Sequence, residues 1–193
     1  MKEYFDICDE YGNPTGETVE RSIAHRDGIP HRTAHVWITR IDDGVRQILL
    51  QKRSKNKDSF PEMYDTSSAG HIPAGNEPAE SAVRELKEEL GLTAKPDQLK
   101  YAGSFHVKYE LPFHGSMFRD NEYVSVYVYD ADVRIEDVHI QEEELEGVEW
   151  FDLDEVYSEC SQKRRDRFCV PIEGLEILKG WFEANLTADN IRT

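Results

Sequence analysis

Glu85, Glu88 and Glu89 fall within five positions of the segment Gly70 to Leu92, which reads GHIPAGNEPAESAVRELKEELGL. The i, i+3, i+4 spacing puts all three carboxylates on one face of a helix. Like charges so placed repel one another unless a cation neutralises them. A hard divalent metal suits that task, because Mg2+ prefers oxygen ligands. The cluster therefore points to metal-dependent chemistry on phosphate groups. The plain alternative is a solvated acidic face on an ordinary surface helix.

The element that must present these groups is a helix over Pro78 to Leu90. Ala79, Ala82, Val83, Leu86 and Leu90 repeat at helical spacing. Pro78 suits the first turn and Gly91 the C-terminal stop. On a helical wheel the apolar stripe centres about 110–120° from the glutamates. One side is buried and the acidic side is presented elsewhere.

The remaining elements are shorter. Residues 1–23 read as an N-terminal hairpin extension turning at Gly12-Asn13-Pro14. Ala24 to His31 reads as a loop. Ala34–Ile41 and Arg46–Lys52 flank Asp42-Asp43-Gly44 and predict a second hairpin. Ser54–Asp65 reads as a loop, and Tyr101–Tyr109 and Glu122–Tyr129 as strands. Val148–Phe151 predicts a short strand, followed by a helix over Asp152–Cys160 with Asp152 as its cap. The C-terminal segment 171–193 predicts an amphipathic helix bearing Leu175, Leu178, Trp181 and Phe182. Helices and hairpins in this mixture predict an α/β (α+β) domain with a mixed sheet between helices.

At 193 residues the chain predicts one domain, and its net charge of -16 lacks the basic footprint of a nucleic-acid binder. Cys8, Cys160 and Cys169 are few and widely spaced, so neither a disulfide framework nor a zinc motif follows. A reducing cytoplasmic compartment is the expectation. No signal-peptide core and no run of ~18 apolar residues predicts export or a membrane span.

The segment from Gly70 resembles the Nudix box, G-x5-E-x7-R-E-U-x-E-E-x-G-U, where U is a bulky aliphatic residue. Gly70, Arg84, Glu85, Leu86, Glu88, Glu89, Gly91 and Leu92 all fit. The isolated Glu of the pattern falls on Asn76, with Glu77 one residue late. The resemblance implies a Nudix α/β/α sandwich, Mg2+ or Mn2+ held by Glu85, Glu88 and Glu89, and Arg84 supporting those carboxylates. It implies a small-molecule diphosphate as substrate, such as a nucleoside diphosphate linked to X, and it allows a homodimer.

A narrower resemblance, over about residues 24–130, is to the isopentenyl-diphosphate isomerase branch. HRTAHVWI at His31–Ile38, QKRSKNKDSFP at Gln51–Pro61, Gly70-His71 and Asp120–Glu122 have counterparts there. In that branch the matching positions imply a second metal on His25, His31, His71, Asp120 and Glu122, and a diphosphate grip from Arg53 and Lys57. The isomerase, however, carries an essential cysteine where this chain has Ala69, and alanine transfers no proton. The expected activity is hydrolysis of a diphosphate, with Glu88 or Glu122 helping to activate water. An isopentenyl-diphosphate isomerase and a non-catalytic nucleotide-binding module are the rival readings.

Overall fold

The computed structural model describes residues 2–57, 59–162 and 166–189, with side chains described through Asn185 in the last helix. The end of the expected C-terminal segment, residues 190–193, lies outside the described residues.

The central strand sets the plan. Strand β3 (His31–Asp42) is buried at His31 and from Thr33 to Thr39, as a strand covered on both faces must be. Along one edge it pairs in parallel with β8 (Ser116–Tyr129). Along the other it pairs antiparallel, first with β6 (Ser68–His71) and then with β4 (Val45–Arg53). Strand β7 (Lys100–Phe113) extends the sheet beyond β8, while β5 (Tyr64–Asp65) and β9 (Leu145–Asp152) pair with β4. The sheet is mixed, as expected.

Alternation along β3 divides the core. Ala34, Val36 and Ile38 face helix α2 (Pro78–Leu90), where Ala82, Leu86 and Leu90 are fully buried. Trp37 faces the other layer, with α3 (Leu153–Ser161) and α4 (Ile172–Asp189) supplying Val156, Leu175, Leu178 and Phe182. Helix α2 spans the residues its apolar stripe predicts. Asp152 caps α3 by accepting the backbone N–H of Asp154 and Glu155, also as predicted.

Three readings are corrected. The first half of the segment expected as a loop from Ala24 is the end of a helix, α1 (Arg21–Asp27), stopped by Gly28 at φ 69°. Seven residues with only Ala24 and His25 buried leave too short a stripe to betray it. The strands expected over Tyr101–Tyr109 and Glu122–Tyr129 are the inner parts of two 14-residue strands. They join through His114 and Gly115, both left-handed at φ 48° and 79°, the pattern of a two-residue hairpin turn. Finally, Tyr64–Asp65, expected at the end of a loop, forms strand β5.

The N-terminal β1 (Tyr4–Cys8) and β2 (Pro14–Glu20) form the expected hairpin as a separate two-stranded sheet. It is anchored, because Ala74 N donates to Tyr4 O and Cys8 N donates to Pro30 O. No described helix is long and apolar enough to cross a membrane.

Gly91 ends α2 at φ 69°, and a Cβ there would lie 2.8 Å from His139 Cβ. Gly91→Ala is expected to cost roughly 2 kcal/mol, lowering Tm by about 4–8 °C. Thermal unfolding followed by circular dichroism checks it, and an unchanged Tm contradicts it.

Candidate metal and phosphate site

Two groups of ligand-type side chains open into one cleft of about 1650 Å3. The first comes from α2. Glu89 is 5% exposed and reaches beneath β6, where Oε2 accepts from Ser68 Oγ at 2.8 Å and Ala69 N at 3.2 Å. Glu85 lies against Gly70, whose lack of a side chain makes room for it. Glu88, one turn from Glu85 on the same face, has a side chain 52% exposed. Arg84 ties the group together, 2.6 Å from Glu85 and 2.9 Å from Glu88, and it also donates to His71 O at 3.1 Å. The glutamate face is therefore not simply solvated.

Burial raises the carboxyl of Glu85 to about 7, with Arg84 opposing the rise. Burial and then the neighbouring Glu85 raise Glu89 to about 8, against the hydrogen bond from Ser68. Arg84 at Glu85 and Lys57 at Glu89 offset only part of the burial, and a hard divalent ion would relieve the rest.

The second group is assembled from four elements. His25 comes from α1, His31 from β3, His71 from β6, and Asp120 and Glu122 from β8. Register brings His31 beside Glu122 and Thr33 beside His71. His25 Nε2 and His71 Nε2 lie 3.1 Å apart. Glu122 Oε1 is 3.3 Å from His71 Nε2 and 3.6 Å from His31 Nε2. Ligand-type atoms of His25, His31 and His71 all lie within 4.8 Å of one another, as do those of His31, Asp120 and Glu122.

The local chemistry fits a cation. His31 Nδ1 donates to the carbonyl of Ile29 at 2.8 Å. That bond turns Nε2 toward the cluster, the arrangement metal-ligating histidines use. His31 Nε2, His25 Nδ1 and Asp120 Oδ1 are buried without hydrogen-bond partners. Burial, followed by the nearby His71, depresses His25 to about 3. His71 is lowered by burial as well. Asp120 is pushed up by burial and then by Glu122. Burial acts upward on Glu122 too, but the adjoining His31 and His71 imidazoles outweigh it and hold the carboxyl well below the usual range. The 3.6 Å approach of His25 Nδ1 to Asp120 is thus no ion pair, because the imidazole is neutral. Uncharged imidazoles beside carboxyl oxygens suit a borderline transition metal.

Phe5, a residue without any chemical signature of its own, organises this group. Its fully buried ring stacks on His31 at 4.8 Å and 15° and on His71 at 4.5 Å and 9°. Asp6 beside it accepts from Arg32 at 3.0 Å and from Gly75 N at 2.9 Å. Both tie the N-terminal hairpin to the site, and sequence reasoning missed both. Their only signal is that an apolar–acidic pair occurs in a hairpin whose partners lie far along the chain.

The two basic residues expected to grip phosphate line the cleft but are already engaged. Arg53 bonds Asp65 at 3.0 Å and the Ser59 carbonyl at 2.9 Å, with its side chain 13% exposed. Lys57 pairs with Glu144, the acidic-loop residue. Arg53 thus shapes the loop that carries Lys57.

The NUDIX domain family matches residues 30–169. A Nudix hydrolase of Clostridium acetobutylicum is 37% identical over 155 residues, covering 80% of this chain and 72% of that protein. Nudix hydrolase 3 of Arabidopsis thaliana is 38% identical over 156 residues, covering 80% of this chain. The match spans only 20% of the plant protein's length. A crystal structure from Deinococcus radiodurans superposes with a TM-score of 0.66 at 18% identity, covering 92% of this chain and 98% of its own. That last likeness speaks to the fold alone.

A Cβ on Gly70 would lie 2.1 Å from Glu85 Cδ, so the carboxylate must swing away. Gly70→Ala is therefore expected to weaken Mg2+ binding about tenfold with an unchanged circular-dichroism spectrum. Titration calorimetry checks this, and wild-type affinity contradicts it.

The raised carboxyls also set a pH dependence. Glu85 and Glu89 titrate near 4.5 when unfolded and at about 7 and 8 when folded. Their contribution to stability is complete below the unfolded value and is lost as pH rises through the folded values. The lowered histidines stop contributing above about pH 7, where they are neutral in both states. Metal-free protein should accordingly lose thermal stability from pH 7 to 8, and saturating Mg2+ should remove that slope. A metal-free Tm that rises over the interval contradicts the assignment.

Proposed function

The chain belongs to the Nudix hydrolase family and is a pyrophosphohydrolase, and we propose that it cleaves the diphosphate linkage of a small organic diphosphate, such as a nucleoside diphosphate linked to X, using both ligand groups of the cleft. The observation carrying this reading is the α2 carboxylate cluster, packed against Gly70 and pinned by Arg84, with two of its carboxyls raised by burial.

Glu85, Glu88 and Glu89 would hold Mg2+ or Mn2+, and His25, His31, His71, Asp120 and Glu122 would hold a second divalent ion. Bound there, such ions neutralise phosphoryl oxygens and make water a better nucleophile. Arg84 keeps the box carboxylates oriented, and Thr33 Oγ1 steadies Glu122 by donating to it at 3.2 Å. Of the two carboxylates suited to take a proton from water, Glu88 is paired with Arg84 but its side chain is 52% exposed to the cleft, whereas Glu122 is buried and engaged by Thr33 and two histidines. This favours Glu88 as the base. Lys57 exchanges Glu144 for a substrate phosphate, and Arg53 holds the loop that delivers it.

The isomerase reading retains one supporting observation, the convergence of three histidines with Asp120 and Glu122. Against it, Ala69 places a methyl where a proton donor is required. Isomerisation needs groups within reach on both faces of a carbon–carbon double bond.

One experiment addresses both readings. The protein is assayed with Mg2+ against a panel of nucleoside diphosphate conjugates and prenyl diphosphates, with products identified by 31P NMR in deuterated water. Glu88→Gln and Glu89→Gln should each lower kcat at least a hundredfold on the best substrate while leaving the fold intact, as loss of metal-assisted stabilisation entails. Wild-type turnover by both variants contradicts the hydrolase assignment. No deuterium should enter isopentenyl diphosphate, and enzyme-dependent incorporation promotes the isomerase.

A further inference from the structure

Strand β3 sends alternate side chains into the cleft, and after His31 and Thr33 the next is His35. His35 is 7% exposed and lines the cleft, and its Nδ1 has no hydrogen-bond partner. It takes no part in either ligand group. Four residues beyond His31, it lies about 13 Å deeper along the strand.

The surroundings of His35 are those of a small receiving pocket. Directly across the β3–β6 ladder stands Ala69, and opposed side chains share a face at close range. Only a methyl faces the imidazole from that position, and Ala69 also lines the cleft. The Phe105 ring meets His35 edge-on at 5.9 Å and 79°. Phe105 also touches the first turn of α4, where a Cβ on Gly174 would come within 3.6 Å of it and 3.0 Å of Trp37. Val170, Pro171 and Ile172 complete the cleft wall here. The first N–H groups of a helix have no acceptor within it, so α4 brings donors to the same end.

We propose that His35 and the first turn of α4 form the subsite for the organic group X, and that X presents a neutral hydrogen-bonding group there, a hydroxyl or carbonyl. The proposal rests on the diphosphate reading above, which places the phosphates at the carboxylate and histidine groups. A diphosphate bound there projects its organic substituent along β3 toward His35. A plain hydrocarbon leaves Nδ1 unpaired. A second anion is disfavoured by the carboxylates whose field reaches the ring, Asp65 and Glu122. Burial keeps His35 neutral, so the ring offers one donor and one acceptor. The role is one of specificity, because His35 belongs to neither ligand group.

The test uses two non-hydrolysable probes that differ by one hydroxyl: methylene-bridged butyl diphosphate and its 4-hydroxybutyl counterpart. Affinities are measured by calorimetry in saturating Mg2+ for the wild type, His35→Phe and His35→Asn. The wild type should bind the hydroxylated probe at least tenfold more tightly. His35→Phe should abolish that preference and leave affinity for the butyl probe unchanged, and His35→Asn should restore part of it. Equal wild-type affinities, or a preference that survives His35→Phe, overturn the proposal while leaving the diphosphate reading intact. Failure of the wild type to bind either probe instead contradicts the diphosphate reading itself. Side-chain 15N spectra of the wild-type protein supply the second measurement, should His35→Phe not fold. The His35 resonance should shift with the hydroxylated probe and not with the butyl one, and identical shifts overturn the proposal.

Discussion

Carboxylates withdrawn from water need a positive partner, and this cleft concentrates them. Glu89, Asp120 and Glu122 are buried, and Glu85 is half-buried. Burying an unpaired charge costs far more than a surface ion pair returns. Among these described residues, Arg84 offsets part of the burial of Glu85 and Ser68 part of that of Glu89, while only Glu122 is held below the usual range, beside His31 and His71. The remaining three are raised, which means the metal-free fold keeps them partly protonated. The arrangement is explicable as a pair of cation cradles, one lined by oxygen donors and one rich in imidazole. Their different donor sets match a hard ion and a borderline one.

Much of the architecture serves to hold those two side-chain groups in register. Gly70 is the contact that lets α2 press its glutamates against β6, and Ser68 and the Ala69 N–H fix Glu89 there. The parallel pairing of β3 with β8 sets His31 beside Glu122. The N-terminal hairpin then inserts Phe5 against two imidazoles and Asp6 against the loop that follows His71. Sequence position suggests an extension, yet the hairpin is a structural wall of the site.

Legibility in the sequence followed the range of the interactions. The helix bearing the glutamates was readable because its stripe, Pro78 and Gly91 are local signals, and the same holds for Asp152 capping α3 and for the Asp43–Gly44 turn. The convergence of His25, His31, His71, Asp120 and Glu122 was accessible only through family resemblance. No spacing rule joins residues on four separate elements. Phe5 and His35 escaped notice because an apolar residue in a short strand, or one histidine in a buried strand, carries no local signature of its partners. The engagement of Arg53 by Asp65 and of Lys57 by Glu144 was equally hidden, since each acid arrives from a different strand or loop.

The central claim is that one cleft holds two chemically distinct metal positions. Anomalous X-ray scattering from crystals equilibrated with Mn2+ measures this directly. The account predicts two peaks, one coordinated by Glu85, Glu88 and Glu89 and a second by His25, His31, His71, Asp120 and Glu122. A single peak away from α2, or no peak in the cleft at saturating Mn2+, contradicts it.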